Sequence, residues 1–291
     1  MFNLSVTKMR FLVLVCLLGS IFTCIFFLPA YTRSSNTPAY LKVHFLDVGQ
    51  GDAIFIETPD KVQVLIDGGP DGAVLRELGE VMSAFDKNID IVLATHNDKD
   101  HIGGLIDVLA RYQVAAVFKT NNQHDTGVAD KFVRQVEMEK SLVLEPKAGE
   151  RYLIGASTTL TIFSPVGDVR NHESNSSSLV VKLEYGETSF FLTGDASIGI
   201  EEYLVQAYPD YLASDVLKLG HHGSRTSSSL VFLTAVAPTY GIASAGKGNS
   251  YGHPHPEVLT NVEAVNAELL STADLGRITF YSDGLNVWLV E

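Results

Sequence analysis

The sequence predicts an α/β (α+β) protein folded as a four-layer αββα sandwich, two mixed sheets face to face with helices outside, behind one N-terminal apolar helix. Three observations carry that expectation. Apolar runs of strand length come in groups separated by helix-length stretches, with enough β for two sheets. Several of those runs end in Gly-containing turns that carry Asp or His, the position where open α/β sheets place ligands. The apolar stretch at the N-terminus stands apart from all of this in composition.

Residues 1–10 read as a short basic tail, with Lys8 and Arg10. Phe11 to Leu28 is uncharged and long enough to span a bilayer. Its basic flank predicts a cytoplasmic tail, an anchored chain and a catalytic body on the extracytoplasmic side. Secretion after signal cleavage is the alternative, although Phe26-Phe27-Leu28-Pro29-Ala30-Tyr31 offers no small-x-small site. Residues 29–39 read as a linker, and 40–291 as one domain. Both cysteines, Cys16 and Cys24, precede the body, which excludes disulfides and thiol chemistry there. Of 21 basic and 34 acidic residues, only Lys8, Arg10 and Arg33 precede residue 40, so the body carries 18 against 34, a formal −16. Such a surface disfavours tight non-specific binding of nucleic acid.

The body opens with an alternating strand, Leu41 to Val48, then a turn, Gly49-Gln50-Gly51-Asp52. Strands follow at Ala53–Thr58 and Val62–Ile66. Asp67-Gly68-Gly69-Pro70 turns the chain into a helix over Gly72–Phe85. The strand Ile89–Ala94 delivers Thr95-His96-Asn97-Asp98-Lys99-Asp100-His101-Ile102-Gly103-Gly104, before a helix over Leu105–Tyr112. Strand Val114–Phe118, helix Val128–Lys140 and short strands at Leu142–Leu144, Tyr152–Ile154 and Leu160–Phe163 come next. The loop Val166–Ser178 is rich in Asn and Ser. A hairpin, Leu179–Tyr185 and Thr188–Thr193, ends in Gly194-Asp195. Strand Val216–Leu219 delivers Gly220-His221-His222-Gly223-Ser224. A helix over Ser228–Val236, strand Tyr240–Ala243, the loop Tyr251-Gly252-His253-Pro254-His255-Pro256, a helix from Glu257, and strands Arg277–Tyr281 and Asn286–Val290 close the chain.

Two imidazoles and two carboxylates within His96–His101 are metal-ligand types, and on one turn they need a cation to offset their repulsion. A carboxylate at Asp195, ending an apolar strand, is costly unless paired or bound to metal. It reads as a bridge between two ions, with capping of the helix that begins at Ser197 as the competing role. Asp52 and Asp67 have two readings: Asx-turn capping, or holding ligand imidazoles from behind. His44 and His124 have no partner pattern. Lys131, Arg134 and Lys140 read as a solvated helix face.

Taken together, Asp47-Val48-Gly49-Gln50-Gly51-Asp52, the His96-x-Asp98-x-Asp100-His101-x-Gly103-Gly104 motif, Leu192-Thr193-Gly194-Asp195, Gly220-His221-His222-Gly223-Ser224 and Tyr251-Gly252-His253-Pro254-His255-Pro256 resemble the metallo-β-lactamase superfamily. More narrowly they resemble the hydrolase domain of ComEC-type DNA-uptake proteins and their stand-alone relatives. The resemblance runs from about Leu41 to Glu291. It implies two divalent metal ions, Zn2+ first and Mn2+ as the other candidate. His96 and Asp98 would serve one ion; Asp100, His101 and either His221 or His222 the other, with Asp195 bridging. The superfamily usually has His where Asp98 stands, and the hard oxygen there favours Mn2+ beside Zn2+. A further His usually comes from the loop before the Asp195 strand. Here the Asn/Ser-rich loop offers His172, which is not carried over as a ligand.

Two such ions activate water for in-line attack on a phosphodiester. Asp100 and His253 are the catalytic candidates, with His253 donating to a phosphate or protonating the leaving oxygen. His255 and Ser224, with Thr226 beside them, are substrate-side candidates; for His255 a plain surface position in a Pro-rich turn is the other reading. The function expected is that of a metal-dependent phosphodiesterase or nuclease, with single-stranded DNA as one substrate. A hydrolase of a small or cell-envelope phosphodiester, of choline-phosphate type, is the alternative, and the acidic body suits it. Retention of the acid and imidazole positions argues against a non-catalytic module, and Asp98 against a β-lactamase in the narrow sense. One apolar span is not expected to form a DNA channel by itself.

Overall fold

The computed structural model describes residues 39–123 and 126–290. The expected anchor, all but the last residue of the linker, and His124 lie outside the described residues. Among the described residues no helix is long and apolar enough to cross a membrane.

The chain begins β1 (Leu41–Phe45), β2 (Ile54–Glu57), β3 (Gln63–Ile66), α1 (Ala73–Val81), β4 (Asn88–Leu93), α2 (Lys99–Leu109), β5 (Gln113–Phe118), α3 (Gly127–Glu139) and β6 (Leu142–Leu144). It continues β7 (Arg151–Ile154), β8 (Thr158–Ser164), β9 (Val180–Tyr185), β10 (Thr188–Leu192), α4 (Ile198–Ala207), β11 (Val216–Lys218), α5 (Leu230–Val236) and β12 (Tyr240–Ala243). It closes with α6 (Pro256–Ala264), β13 (Glu268–Ser271), α7 (Thr272–Leu275), β14 (Ile278–Ser282) and β15 (Val287–Val290). One sheet has the order β15-β14-β1-β2-β3-β4-β5-β6 and the other β13-β12-β11-β10-β9-β8-β7. Both are mixed: β3 to β6 run parallel, as do β10 to β13, and the remaining pairs are antiparallel.

Residue alternation explains the layers. Val64 and Ile66 of β3 and Val181 and Leu183 of β9 face the seam between the sheets, with Phe45, Phe190 and Leu192. Their neighbours point the other way. Leu65 and Val92 pack under Ile102, Leu105 and Val108 of α2. Val180, Phe191 and Leu217 pack under Leu204, Phe232 and Val262 of α4, α5 and α6. Strands covered on both faces must be apolar throughout, which is why they read as continuous hydrophobic runs. The expected αββα sandwich is the observed one.

The metal-type motif departs from expectation in one respect. Its helix begins at Lys99, six positions before Leu105, so Asp100 and His101 sit in the first helical turn and Gly103 and Gly104 lie inside the helix. Glycine is costly in a helix, and close approach is the reason for it here. A Cβ on Gly104 would collide with the Gly68 carbonyl oxygen, and one on Gly103 with that of Pro70. Their absence lets the Asp67–Pro70 turn lie against the helix N-terminus. Gly68 N–H donates to the His101 carbonyl at 2.7 Å and Gly104 N–H to that of Gly69 at 2.9 Å. The short helix α7 is an addition to the expected elements. α1 stops at Val81, short of Phe85. β13, a four-residue edge strand parallel to β12, was not expected, because Glu268 and Ser271 interrupt its apolar signal.

Candidate metal centre

Five turns deliver polar side chains to one end of the sandwich seam. The first sheet supplies Asp52 ahead of β2, Asp67 after β3, and His96, Asp98, Asp100 and His101 after β4. The second supplies Asp195 after β10 and His221 and His222 after β11. The sheets are tied together here, since Leu179 N–H donates to the Thr95 carbonyl at 2.9 Å, while His221 N–H binds the Gly194 carbonyl at 3.1 Å within the second sheet's own turns. His221 and His222 have φ of 49° and 57°, two successive left-handed residues. That conformation costs energy for side chains of this size, and it turns both imidazoles toward Asp195.

Asp195 is the centre of the cluster. Its carboxylate oxygens lie 3.2 Å from His101 Nε2, 3.6 Å from His221 Nε2, and 3.8 Å from both His96 Nε2 and His222 Nε2. His96 Nε2 is also 3.6 Å from Asp98, and His222 Nε2 is 3.2 Å from Asp100. The N-cap position of the helix after Asp195 is Ser197, not Asp195. Of the two adjacent imidazoles, His222 is the one beside Asp100, and it is buried, with its ring 5.2 Å from that of His101. His221 is partly exposed and contacts Thr226 Oγ1 and Asn175 Nδ2 at 3.2 and 3.4 Å.

Each buried imidazole is held from behind. Asp67 accepts from His101 Nδ1 and the Thr95 hydroxyl, both at 2.7 Å, and from Thr95 N–H at 2.8 Å. Asp52 accepts from His222 Nδ1 at 3.1 Å. Thr95 Oγ1 lies 3.0 Å from His96 Nδ1. These bonds leave the Nε2 atoms facing inward. His96 Nε2, His101 Nε2 and Asp195 Oδ1 are buried with no hydrogen-bond partner despite their proximity. Orphaned polar atoms are costly unless something else satisfies them, and converging imidazole Nε2 and carboxylate oxygens form a donor set that fits a divalent ion.

The electrostatics agree with the geometry. Burial opposes ionisation of Asp195, but the His101 and His222 charges outweigh it and hold the carboxyl well below its usual range. Asp52 is likewise held low against burial, by Lys218 and His222. Burial lowers His222, yet Asp195 and Asp52 push it up to about 9. The carboxylates thus demand positive charge, for which protons on the imidazoles and a metal ion compete.

The other expected residues are more scattered. His253 lies at the mouth, its ring 5.7 Å from His221 and 6.1 Å from His222. Burial, then the neighbouring imidazoles, lower its pKa to about 4. Asn249 clamps its backbone from both sides, and exposed Tyr251 stacks on its ring at 5.6 Å. His255 Nδ1 accepts from Arg225 N–H at 3.0 Å, so one ring nitrogen is spent on pinning the neighbouring turn. Ser224 is buried beside the His221–His222 turn, and its hydroxyl accepts from Thr226 Oγ1 at 3.0 Å. His172 is exposed, and Asn175 from the same loop stands beside His221. The sequence does not single out Thr95, Lys218 or Gln50, whose Nε2 lies 3.5 Å from His253 Nδ1. Lys218 carried a signal, a lone lysine inside the apolar strand Val216-Leu217-Lys218-Leu219.

An αββα sandwich with an acid and imidazole cluster at the end of its seam defines the class of metal-dependent hydrolases. The chain belongs to the metallo-beta-lactamase superfamily, whose profile matches residues 46–247. It is 31% identical over 256 residues to ComE operon protein 3 of Bacillus subtilis, covering 82% of this chain and 33% of that protein. It is 32% identical over 235 residues to competence protein ComA of Neisseria gonorrhoeae, covering 80% of this chain and 31% of that one. The chain therefore spans about a third of the length of these curated relatives. The fold is shared with Igni18, a metallo hydrolase from Ignicoccus hospitalis, with TM-score 0.53 and 14% identity, covering 82% of this chain and 98% of that one.

Proposed function

We propose that the protein is a phosphodiesterase acting on nucleic acid, with His96, Asp98 and Asp195 holding one divalent ion and Asp100, His101, His222 and Asp195 a second. The observation that carries this reading is the convergence of unpartnered His96 Nε2, His101 Nε2 and Asp195 Oδ1 on one buried point. Bound ions supply Lewis acidity and activated water for in-line displacement at phosphorus. The chain's own residues do the rest. Asp67 and Asp52 fix the imidazoles with Nε2 inward. His253, held by Asn249 at the rim, stands where its neutral ring can hydrogen-bond a phosphate oxygen. The competence names of the relatives support a DNA substrate, while the −16 body supports the alternative, a small or cell-envelope phosphodiester.

The test is turnover of single-stranded DNA, bis-p-nitrophenyl phosphate and a lactam by the full chain loaded with Zn2+ or Mn2+. DNA cleavage abolished by Asp100→Ala is expected. Cleavage of the small diester without DNA turnover selects the alternative, and absence of bound metal by elemental analysis removes both. We propose as well that residues 11–28 anchor the body at the outer face of a membrane; recovery of a soluble form trimmed near Ala30 would overturn that.

A further inference from the structure

Lys218 is a fully buried lysine at the end of β11. Its ammonium donates to the Leu219 carbonyl at 2.9 Å and lies 2.9 Å from Asp52 Oδ2. The other oxygen of Asp52 accepts from His222 Nδ1 at 3.1 Å. The three side chains form a line, Lys218 to Asp52 to His222, whose far end is His222 Nε2, facing Asp100 and Asp195.

Asp52 has two roles open to it. It offers a carboxylate oxygen that lies, with atoms of His101, Asp195 and His222, in a group all within 4.8 Å of one another. By distance alone it is a candidate ligand. Both its oxygens are already engaged, Oδ1 by His222 Nδ1 and Oδ2 by the Lys218 ammonium. We infer that Lys218 decides between these roles: it pins Asp52 behind His222, so that Asp52 orients the imidazole instead of ligating the ion. Lys218 is thus a positioning residue for the metal centre. A buried lysine is stable only when paired, and Asp52 has the single formal charge that neutralises it. Three residues then hold one ring nitrogen in place, whereas His101 is held by Asp67 with a neutral partner, Thr95.

This inference rests on the cluster being a metal site, and one experiment separates the two. The full chain is titrated with Zn2+ against a competing chelator, and the His222 tautomer is read by 15N NMR. Wild type is expected to bind Zn2+, with His222 protonated at Nδ1 in the loaded chain. Asp52→Asn is expected to lose about 10–100-fold in Zn2+ affinity, the range for removing a group that orients a ligand imidazole. Lys218→Met is expected to lose about tenfold or more with a changed His222 nitrogen pattern, because unpinned Asp52 swings from Nδ1. In the Asp52→Asn background, Lys218→Met is expected to cause no further loss, since the lysine acts only through Asp52. Lys218→Gln, which keeps a donor without the charge, carries the same test if the methionine variant does not fold. Failure of wild type to bind Zn2+ or Mn2+ overturns the metal reading. Normal wild-type binding with unchanged affinity and tautomer in both Lys218 variants, or losses that multiply in the double variant, overturns the role of Lys218.

Discussion

Replacing Asp67 by Asn tests how the imidazole of His101 is aimed. Asp67 sits at φ 57°, a conformation Asn accepts, so the backbone is left alone. The native carboxylate is acceptor-only. One oxygen takes Thr95 N–H at 2.8 Å, and the other takes the Thr95 hydroxyl and His101 Nδ1–H at 2.7 Å each. In Asn one of these oxygens becomes an NH2 group. Facing Thr95 N–H it would oppose donor to donor, so it turns toward His101. There it forces Nδ1 to accept, which moves the ring proton to Nε2, the atom 3.2 Å from Asp195. A protonated Nε2 cannot bind metal. Loss of the charged hydrogen bond is expected to lower apo stability by about 1.5–3 kcal/mol. Loss of the tautomer is expected to weaken Zn2+ by about 10–100-fold. Thermal unfolding of the metal-free chain and chelator competition measure the two separately. Zn2+ affinity within about twofold of wild type, with His101 protonated at Nε2, would show that the ring does not reach the ion through that atom and would refute the argument.

Further outcomes follow from other parts of the molecule. Gly104→Ala pushes a methyl into the Gly68 carbonyl, so the melting temperature is expected to fall by the equivalent of about 1–3 kcal/mol, with weaker metal binding because α2 retreats from the Asp67 turn. His44 is lowered from 6.5 to about 4 by burial, then by Arg277 and Lys42. The unfolded chain therefore binds the extra proton first: the stability is complete above pH 6.5 and is lost as pH falls toward about 4, some ~3 kcal/mol in all. His44→Asn should flatten denaturant midpoints across that window. Asp98→His exchanges an oxygen donor for nitrogen and is expected to raise the Zn2+ to Mn2+ affinity ratio, measured by competition between the two ions.

Much of this was legible in the sequence, for physical reasons. Strands buried on both faces leave unbroken apolar runs, so β3, β4, β9, β10 and β11 stand out. Ligand-type residues at strand ends mark the seam, so His96, Asp98, Asp100, His101 and Asp195 could be named as a set. What escaped depends on backbone geometry. Which imidazole enters the cluster follows from two left-handed residues at His221 and His222, which no spacing reveals. The early start of α2 was hidden because two glycines usually end a helix, and here they serve contact with Gly68 and Pro70. Lys218 was overlooked because a lysine in a buried strand makes sense only once its partner, Asp52, is brought from about 170 residues away.

The cluster takes side chains from both sheets, and this has a consequence for how the protein resists unfolding. His96 and His101 belong to one half of the sandwich, Asp195 and His222 to the other, and their only common ground is the seam. An ion held between them acts as a rivet across that seam. Donors from both halves would share it, so up to its whole binding energy counts against separation of the halves. At a free concentration about 1,000 times the dissociation constant that amounts to about 4 kcal/mol, a large share of a typical domain's stability. Chelation should therefore loosen the two halves from each other before it melts either one. Hydrogen exchange at Leu179, whose amide crosses the seam to Thr95, would be the first to rise.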